Sequence, residues 1–237
     1  MQNARCHYHR GSVGAPFHIP ADLVIEGESA AEQLARLRDL VHGCDHDGYA
    51  LCNHAADVAD LSTRFARYLG CDDRTTETIE AAAWCHDLGK LFLPLSVILW
   101  DGRLSPEQRA EFNRHPAEGA ALFTHPELRT IALAVRCHHE SPSGCGYPDG
   151  LPREQIPPEA RLIGVTDWYA ACRERRIYKA EKPHSVAMGL TWAAAAEGKI
   201  DAELTAELQT MLDRDAWNPC SAAGATSERQ YRVTLPQ

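Results

Sequence analysis

Residues 138–150 read HHESPSGCGYPDG. Two imidazoles and a carboxylate stand side by side, and the glycines, serines and prolines that follow cannot continue a helix. Upstream, Pro126 opens a helix that carries Ile131, Leu133 and Val135 towards His138. Downstream, the loop runs to Pro157, and Pro158 starts a helix with Leu162, Val165, Trp168 and Tyr169. The stretch therefore reads as a helix end that presents coordinating side chains and then leaves regular geometry.

The same grammar extends in both directions. Ser29 and Glu32 match a capping box ahead of Leu34, Leu37, Leu40 and Val41. From His54, the residues Val58, Leu61, Phe65 and Leu69 make a helical stripe that Gly70 ends. A helix from about Thr75 reaches His86, with Ile79, Ala82 and Ala83 on one side, and Gly89 suits a left-handed position after it. Ser105, Pro106 and Gln108 mark another start; that helix stops before His115, and Pro116 opens the next. Residues 184–197 and 202–213 read as two more, the second capped by Asp201. No alternating strand pattern of useful length occurs. The expectation is an all-α fold of eight to nine helices: residues 1–45 an arm and first helix, 46–215 the helical domain, 216–237 a tail. The first helix either covers the core or pairs two protomers into a homodimer.

With 237 residues the chain can bury a real core, and its formal charge of −9 argues against general DNA or RNA binding. No apolar run is long enough for a membrane span, and the first twenty residues lack the apolar core of a signal peptide. Nine cysteines without a C-x-x-C pair point to reduced thiols and a cytoplasmic location. Cys85 and Cys137 read as small core residues, and Asp45, His46 and Asp47 as a solvated turn. Cys6, His7, His9 and His18 are metal-capable types in a loose arm and are left out of the site.

The informative excess is histidine, at twelve. His54 lies near a helix start, His86 and Asp87 close a helix, His115 sits at a junction, and His138 and His139 end a helix. Asp167 lies inside an otherwise apolar helix, RLIGVTDWYA, where a bare carboxylate would cost several kcal/mol. Helix ends can converge on one point. Five histidines and two aspartates exceed one metal's needs but suit two metals sharing a bridging carboxylate, a recurring device for phosphoester hydrolysis. Lys90, one turn beyond Asp87, is placed to neutralise a phosphate oxygen or steady the attacking water. Glu140 reads as a group orienting an imidazole N–H rather than a ligand.

In order along the chain, WCHDLGKLFLP, NRHPAEGA and HHESPSGCGYPDGLPREQIPPEARLIGVTDWYAACRERRIYK resemble the HD-GYP domain, a branch of the HD superfamily, over about residues 50–213. The resemblance implies an HD-superfamily helical bundle with an extended G-Y-P loop. It also implies a phosphodiesterase that opens cyclic di-GMP to pGpG, and on to GMP in some members, with hydroxide bridging two metals. His54, His86, Asp87, His115, His138, His139 and Asp167 match the family's ligands, with Asp87 as bridge. The metals implied are Fe or Mn, with Zn, Ni or Mg as alternatives. Lys90 and Asp87 match the catalytic positions. Arg176 and Lys179 match a phosphate-gripping pair, and Gly146, Tyr147 and Pro148 match the loop, where the glycine would let backbone approach the ligand and Tyr147 would pack on the metal-site wall or face a signalling partner. Three departures stand out. Ala50 replaces the glutamate of members with three metals, so a dinuclear site is expected; Ser143 and Ala170 replace aspartates, loosening the loop and removing a helix-to-loop hydrogen bond. The competing readings are a metal- and nucleotide-binding module that signals through the loop, and hydrolysis or oxygenation of another substrate.

Overall fold

The computed structural model describes residues 27–42, 51–98, 100, 102–173 and 182–215. The arm, the 45–47 turn, Ala50, Arg176, Lys179 and the C-terminal tail therefore lie outside the described residues. Among the described residues ten α-helices follow in order: α1 (Ala30–His42), α2 (Leu51–Tyr68), α3 (Asp73–Cys85), α4 (Leu95–Ile98), α5 (Pro106–Phe112), α6 (His115–Ala120), α7 (Arg129–Cys137), α8 (Pro158–Arg173), α9 (His184–Ala196) and α10 (Ala202–Asp215). The count exceeds expectation because short pieces such as the four-residue α4 carry no periodic signal in the sequence. No strand occurs among the described residues; one isolated antiparallel bridge joins Ser143 to Pro152. The fold is all-α.

The helix starts are fixed by short-range chemistry. Ser29 N–H donates to Glu32 at 2.9 Å and Glu32 N–H donates to Ser29 Oγ at 3.3 Å, closing the capping box. The Ser105–Gln108 box closes likewise, with Pro106 behind the cap. Asp201 accepts from the Glu203 and Leu204 amides at 3.0 and 3.2 Å and opens α10. The third helix starts earlier than Thr75, because Asp72 takes the cap and accepts from the Thr75 amide at 2.7 Å.

Helix α2 packs against α3 and α8, and α7 against α3, α6 and α8. Leu61, Phe65, Ile79, Ile163 and Tyr169 are almost wholly buried where these helices meet. Each such side chain contributes about 1.5–3 kcal/mol through burial. Helix α1 covers this core with Leu34, Leu37 and Val41. Buried Gln33 pins it there, donating to Thr124 Oγ1 and accepting from the Thr124 and His125 amides. Ala170, where the resemblance has aspartate, is simply part of the apolar core.

Candidate metal centre

The three histidines at helix ends share one local device. His86 Nδ1 lies 2.7 Å from the Ala83 carbonyl, His115 Nδ1 2.8 Å from that of Phe112, and His138 Nδ1 2.7 Å from that of Val135. Each carbonyl belongs to the last turn of a helix, where carbonyls lack intrahelical partners. A carbonyl only accepts, so Nδ1 donates, and the neutral ring keeps its lone pair on Nε2.

Those lone pairs face inward. Nε2 of His86, His115 and His138, and Oδ1 of Asp87, are shut off from solvent without a hydrogen-bond partner. Yet His86 Nε2 is 3.3 Å from Asp87 Oδ2, and His115 Nε2 is 3.4 Å from Asp87 Oδ1. Acceptor facing acceptor in a buried site costs about 1–3 kcal/mol per unpaired group unless a cation lies between them. Donor atoms gather in two sets, each within 4.8 Å: Asp87, His115, His138 and His139, and His54, His86 and Asp87. Asp87 belongs to both. Asp167 Oδ1 joins the second set, 2.9 Å from His54 Nε2 and 3.7 Å from His86 Nε2. All seven residues named from the sequence thus reach one centre, and the donor set is that of divalent transition metals.

The electrostatics agree with a site built around positive charge. Burial opposes it, but neighbouring His86 and Lys90 hold the Asp87 carboxyl well below the usual range. Asp167 is lowered against burial by its hydrogen bond to His54 and by His86. Burial, then neighbouring imidazoles, pushes His138 down to about 4 and His139 well below its ordinary value. Burial likewise lowers His115, against the pull of Asp87. For His86 burial is outweighed by Asp87 and Asp167, and the imidazole is raised. Lys90 Nζ reaches Asp87 Oδ2 at 2.5 Å. Cys85 and Cys137, beside the ligands, are pushed up by burial to about 12 and about 11 and remain core thiols.

Three sequence expectations are corrected. Gly89 is absent from the left-handed glycines; a Cβ there would lie 1.9 Å from the His115 carbonyl oxygen and 2.7 Å from the Gly119 nitrogen. It is required because the turn after Asp87 presses against the start of α6, which brings His115 to the site. Gly146 allows backbone approach to the chain itself rather than to a ligand: its Cβ would meet the Ser141 nitrogen at 2.2 Å. Among the described residues no imidazole N–H donates to Glu140. Its carboxylate takes the amides of Asp149 (2.6 Å), Gly150 (3.2 Å) and Leu151 (2.8 Å), folding the loop back on itself.

That fold places Tyr147 on the site wall, its ring centroid 4.8 Å from that of His139 and 6.2 Å from that of His115. Burial pushes its phenol up. The Tyr147–Pro148 peptide is cis. Nor does Ser143 leave the loop loose: its amide donates to the Gly198 carbonyl at 3.1 Å, and Ser141 Oγ donates to the same carbonyl at 2.7 Å. Replacing Glu140 by glutamine should cost about 1.5–3 kcal/mol, the worth of charged hydrogen bonds. Hydrogen exchange at the amides of 149–151 should speed up selectively; unchanged protection there would contradict this role.

The sequence reading passed over Phe112 and Arg109. The Phe112 ring lies 5.0 Å from that of His115, with Lys90 Nζ 5.4 Å and Arg109 Cζ 5.9 Å from its centroid.

The family profile described as an HD domain matches residues 44–204, more than half of the 237. This chain belongs to the HD domain family. The cyclic di-GMP phosphodiesterase response regulator RpfG of Xanthomonas campestris is 37% identical over 155 residues, 64% of this chain and 40% of that protein. A cyclic di-GMP phosphodiesterase of Thermotoga maritima is 34% identical over 133 residues, 55% of this chain and 36% of that protein. The chain thus spans well under half the length of these relatives. Among solved structures, Bd1817, an HDG"Y"P protein from Bdellovibrio bacteriovorus, aligns with a TM-score of 0.55 at 21% identity, covering 78% of this chain and 62% of that one. This likeness speaks to the HD fold alone; the family profile and the relatives bear out the HD-GYP resemblance. HD domains are metal-dependent, and the His/Asp cluster described above could hold metal. No described helix is long and apolar enough to cross a membrane.

Proposed function

We propose that this HD domain is a metal-dependent phosphodiesterase that hydrolyses cyclic di-GMP to pGpG. The observation that carries the reading is Asp87, a buried carboxylate shared by two donor sets in which the Nε2 lone pairs of His86, His115 and His138 have no partner. His54, His86, Asp87 and Asp167 would hold one ion, and Asp87, His115, His138 and His139 the other. The names of the relatives support the substrate class. A pair of divalent ions, when bound, supplies an acidified water and absorbs charge on phosphoryl oxygens.

The chain's own residues do the rest. The three Nδ1-to-carbonyl bonds fix the rings before any ligand arrives, so no reorganisation is needed at the moment of reaction. Lys90, tethered to Asp87, keeps a positive charge beside the centre for a phosphate oxygen. Tyr147 covers His139 and limits access of bulk water from the loop side. Arg176 and Lys179 are proposed to hold phosphate.

The metal content is expected to be two ions per chain after anaerobic purification, measured by elemental analysis. Three equivalents would contradict the assignment of Ala50 as the missing third-site ligand. The activity test is the purified chain loaded with Fe(II) or Mn(II) under reducing conditions and given cyclic di-GMP or cyclic GMP-AMP, with products separated. Formation of pGpG from cyclic di-GMP is expected. Two bound metals with no product from either nucleotide would overturn the reading, and tight nucleotide binding without turnover would favour a binding module.

A further inference from the structure

We propose that Arg109 on α5 grips the second phosphate of the cyclic dinucleotide whose first phosphate lies at the metal centre, with Phe112 holding the guanidinium in place. This inference rests on the phosphodiesterase reading and deepens it. A cyclic dinucleotide carries two phosphates in one ring, and the shared donor set around Asp87 can engage only the one being cleaved. Beyond the contacts proposed for Arg176 and Lys179, the second needs a cation at the rim, because the chain's net charge of −9 and the carboxylates of the centre otherwise repel it.

Arg109 meets the requirements of that cation. It is exposed, one helical turn before Phe112, on a helix anchored by the Ser105–Gln108 capping box. Its Cζ lies 5.9 Å from the Phe112 ring centroid, and the same ring lies 5.4 Å from Lys90 Nζ and 5.0 Å from the His115 ring. One aromatic side chain therefore spaces two cations. Lys90 faces inward, bonded to Asp87, and Arg109 stands further out. An arginine held over an aromatic face loses less freedom when it binds, and its planar fork fits two phosphate oxygens where lysine offers a point charge.

The test uses the full chain loaded with Mn(II). Calorimetry measures binding of a hydrolysis-resistant phosphorothioate cyclic di-GMP, and turnover is followed on cyclic di-GMP and on bis(p-nitrophenyl) phosphate, which has a single phosphate and no nucleobase. In Arg109→Ala the dissociation constant should rise at least tenfold. The ratio of kcat/KM for the dinucleotide to that for the small diester should fall at least tenfold. Arg109→Lys should recover part of both, and Phe112→Leu should show a smaller loss. Arg109→Ala should also flatten the salt dependence of binding, which a merely structural role would not do. If the wild type binds the dinucleotide and Arg109→Ala binds it within twofold as well, this inference fails alone. If the wild type takes up metal yet neither binds nor cleaves the dinucleotide, the phosphodiesterase reading fails and this inference with it.

Discussion

Asp87→Asn should strip the centre of paired metal: one equivalent or fewer per chain in place of two, and turnover of cyclic di-GMP lower by on the order of 10³-fold or more. The physical basis is that Asp87 alone belongs to both donor sets, with Oδ1 facing His115 and Oδ2 facing His86. Removing one preorganised electrostatic group from a reacting site costs on the order of 10²–10³ in rate. Loss of a shared ligand acts on two ions at once and belongs at or above the top of that range. Asparagine keeps the shape of the side chain and leaves Lys90 an oxygen to bond, so the folded state survives. Alanine would not separate these effects, because it strands the Lys90 ammonium, and breaking a buried ion pair costs about 3–5 kcal/mol. Elemental analysis and product chromatography on the same preparation provide the check. Two retained equivalents with wild-type turnover would show that Asp87 bridges nothing.

Gly89→Ala should destabilise the metal-free chain by roughly 3 kcal/mol, read as a fall in urea midpoint at unchanged slope. The added methyl would sit 1.9 Å from the His115 carbonyl oxygen and 2.7 Å from the Gly119 nitrogen. Both obstacles are backbone, so no side chain can rotate away, and the cost lies at the upper end of what overpacking usually imposes. The strain has a direction. It pushes α6 from the turn after Asp87 and carries His115 away from the shared carboxylate. Metal content should therefore drop together with stability, and the ion held by His115, His138 and His139 should go first. A variant with an unaltered midpoint and two metals would mean that the turn and α6 do not pack as described.

These two residues mark where sequence stops being sufficient. Three of the candidate ligands were legible because each sits where the backbone itself needs help. His86 and His138 stand at helix C-termini and spend Nδ1 on a carbonyl three residues back, and His115 does the same across a junction. Such bonds span three or four residues, as do the capping boxes at Ser29 and Ser105, so they leave a local signature. The apolar stripe of α2 is visible by its helical period, and the buried Asp167 in α8 by the apolar residues that flank it.

The sequence by itself thus determined the helical class, the helix starts and the candidate coordinating side chains, because hydrogen bonds and side-chain periods of a few residues decide them. Only the tertiary structure decided what Gly89, Gly146 and Glu140 are for. Glu140 closes a loop onto amides nine to eleven residues away, and Gly89 yields space to a carbonyl on another helix. His54 meets Asp167 across 113 positions of chain. Those juxtapositions arise when apolar faces of separate helices are buried together, and the resulting distances have no counterpart in local spacing.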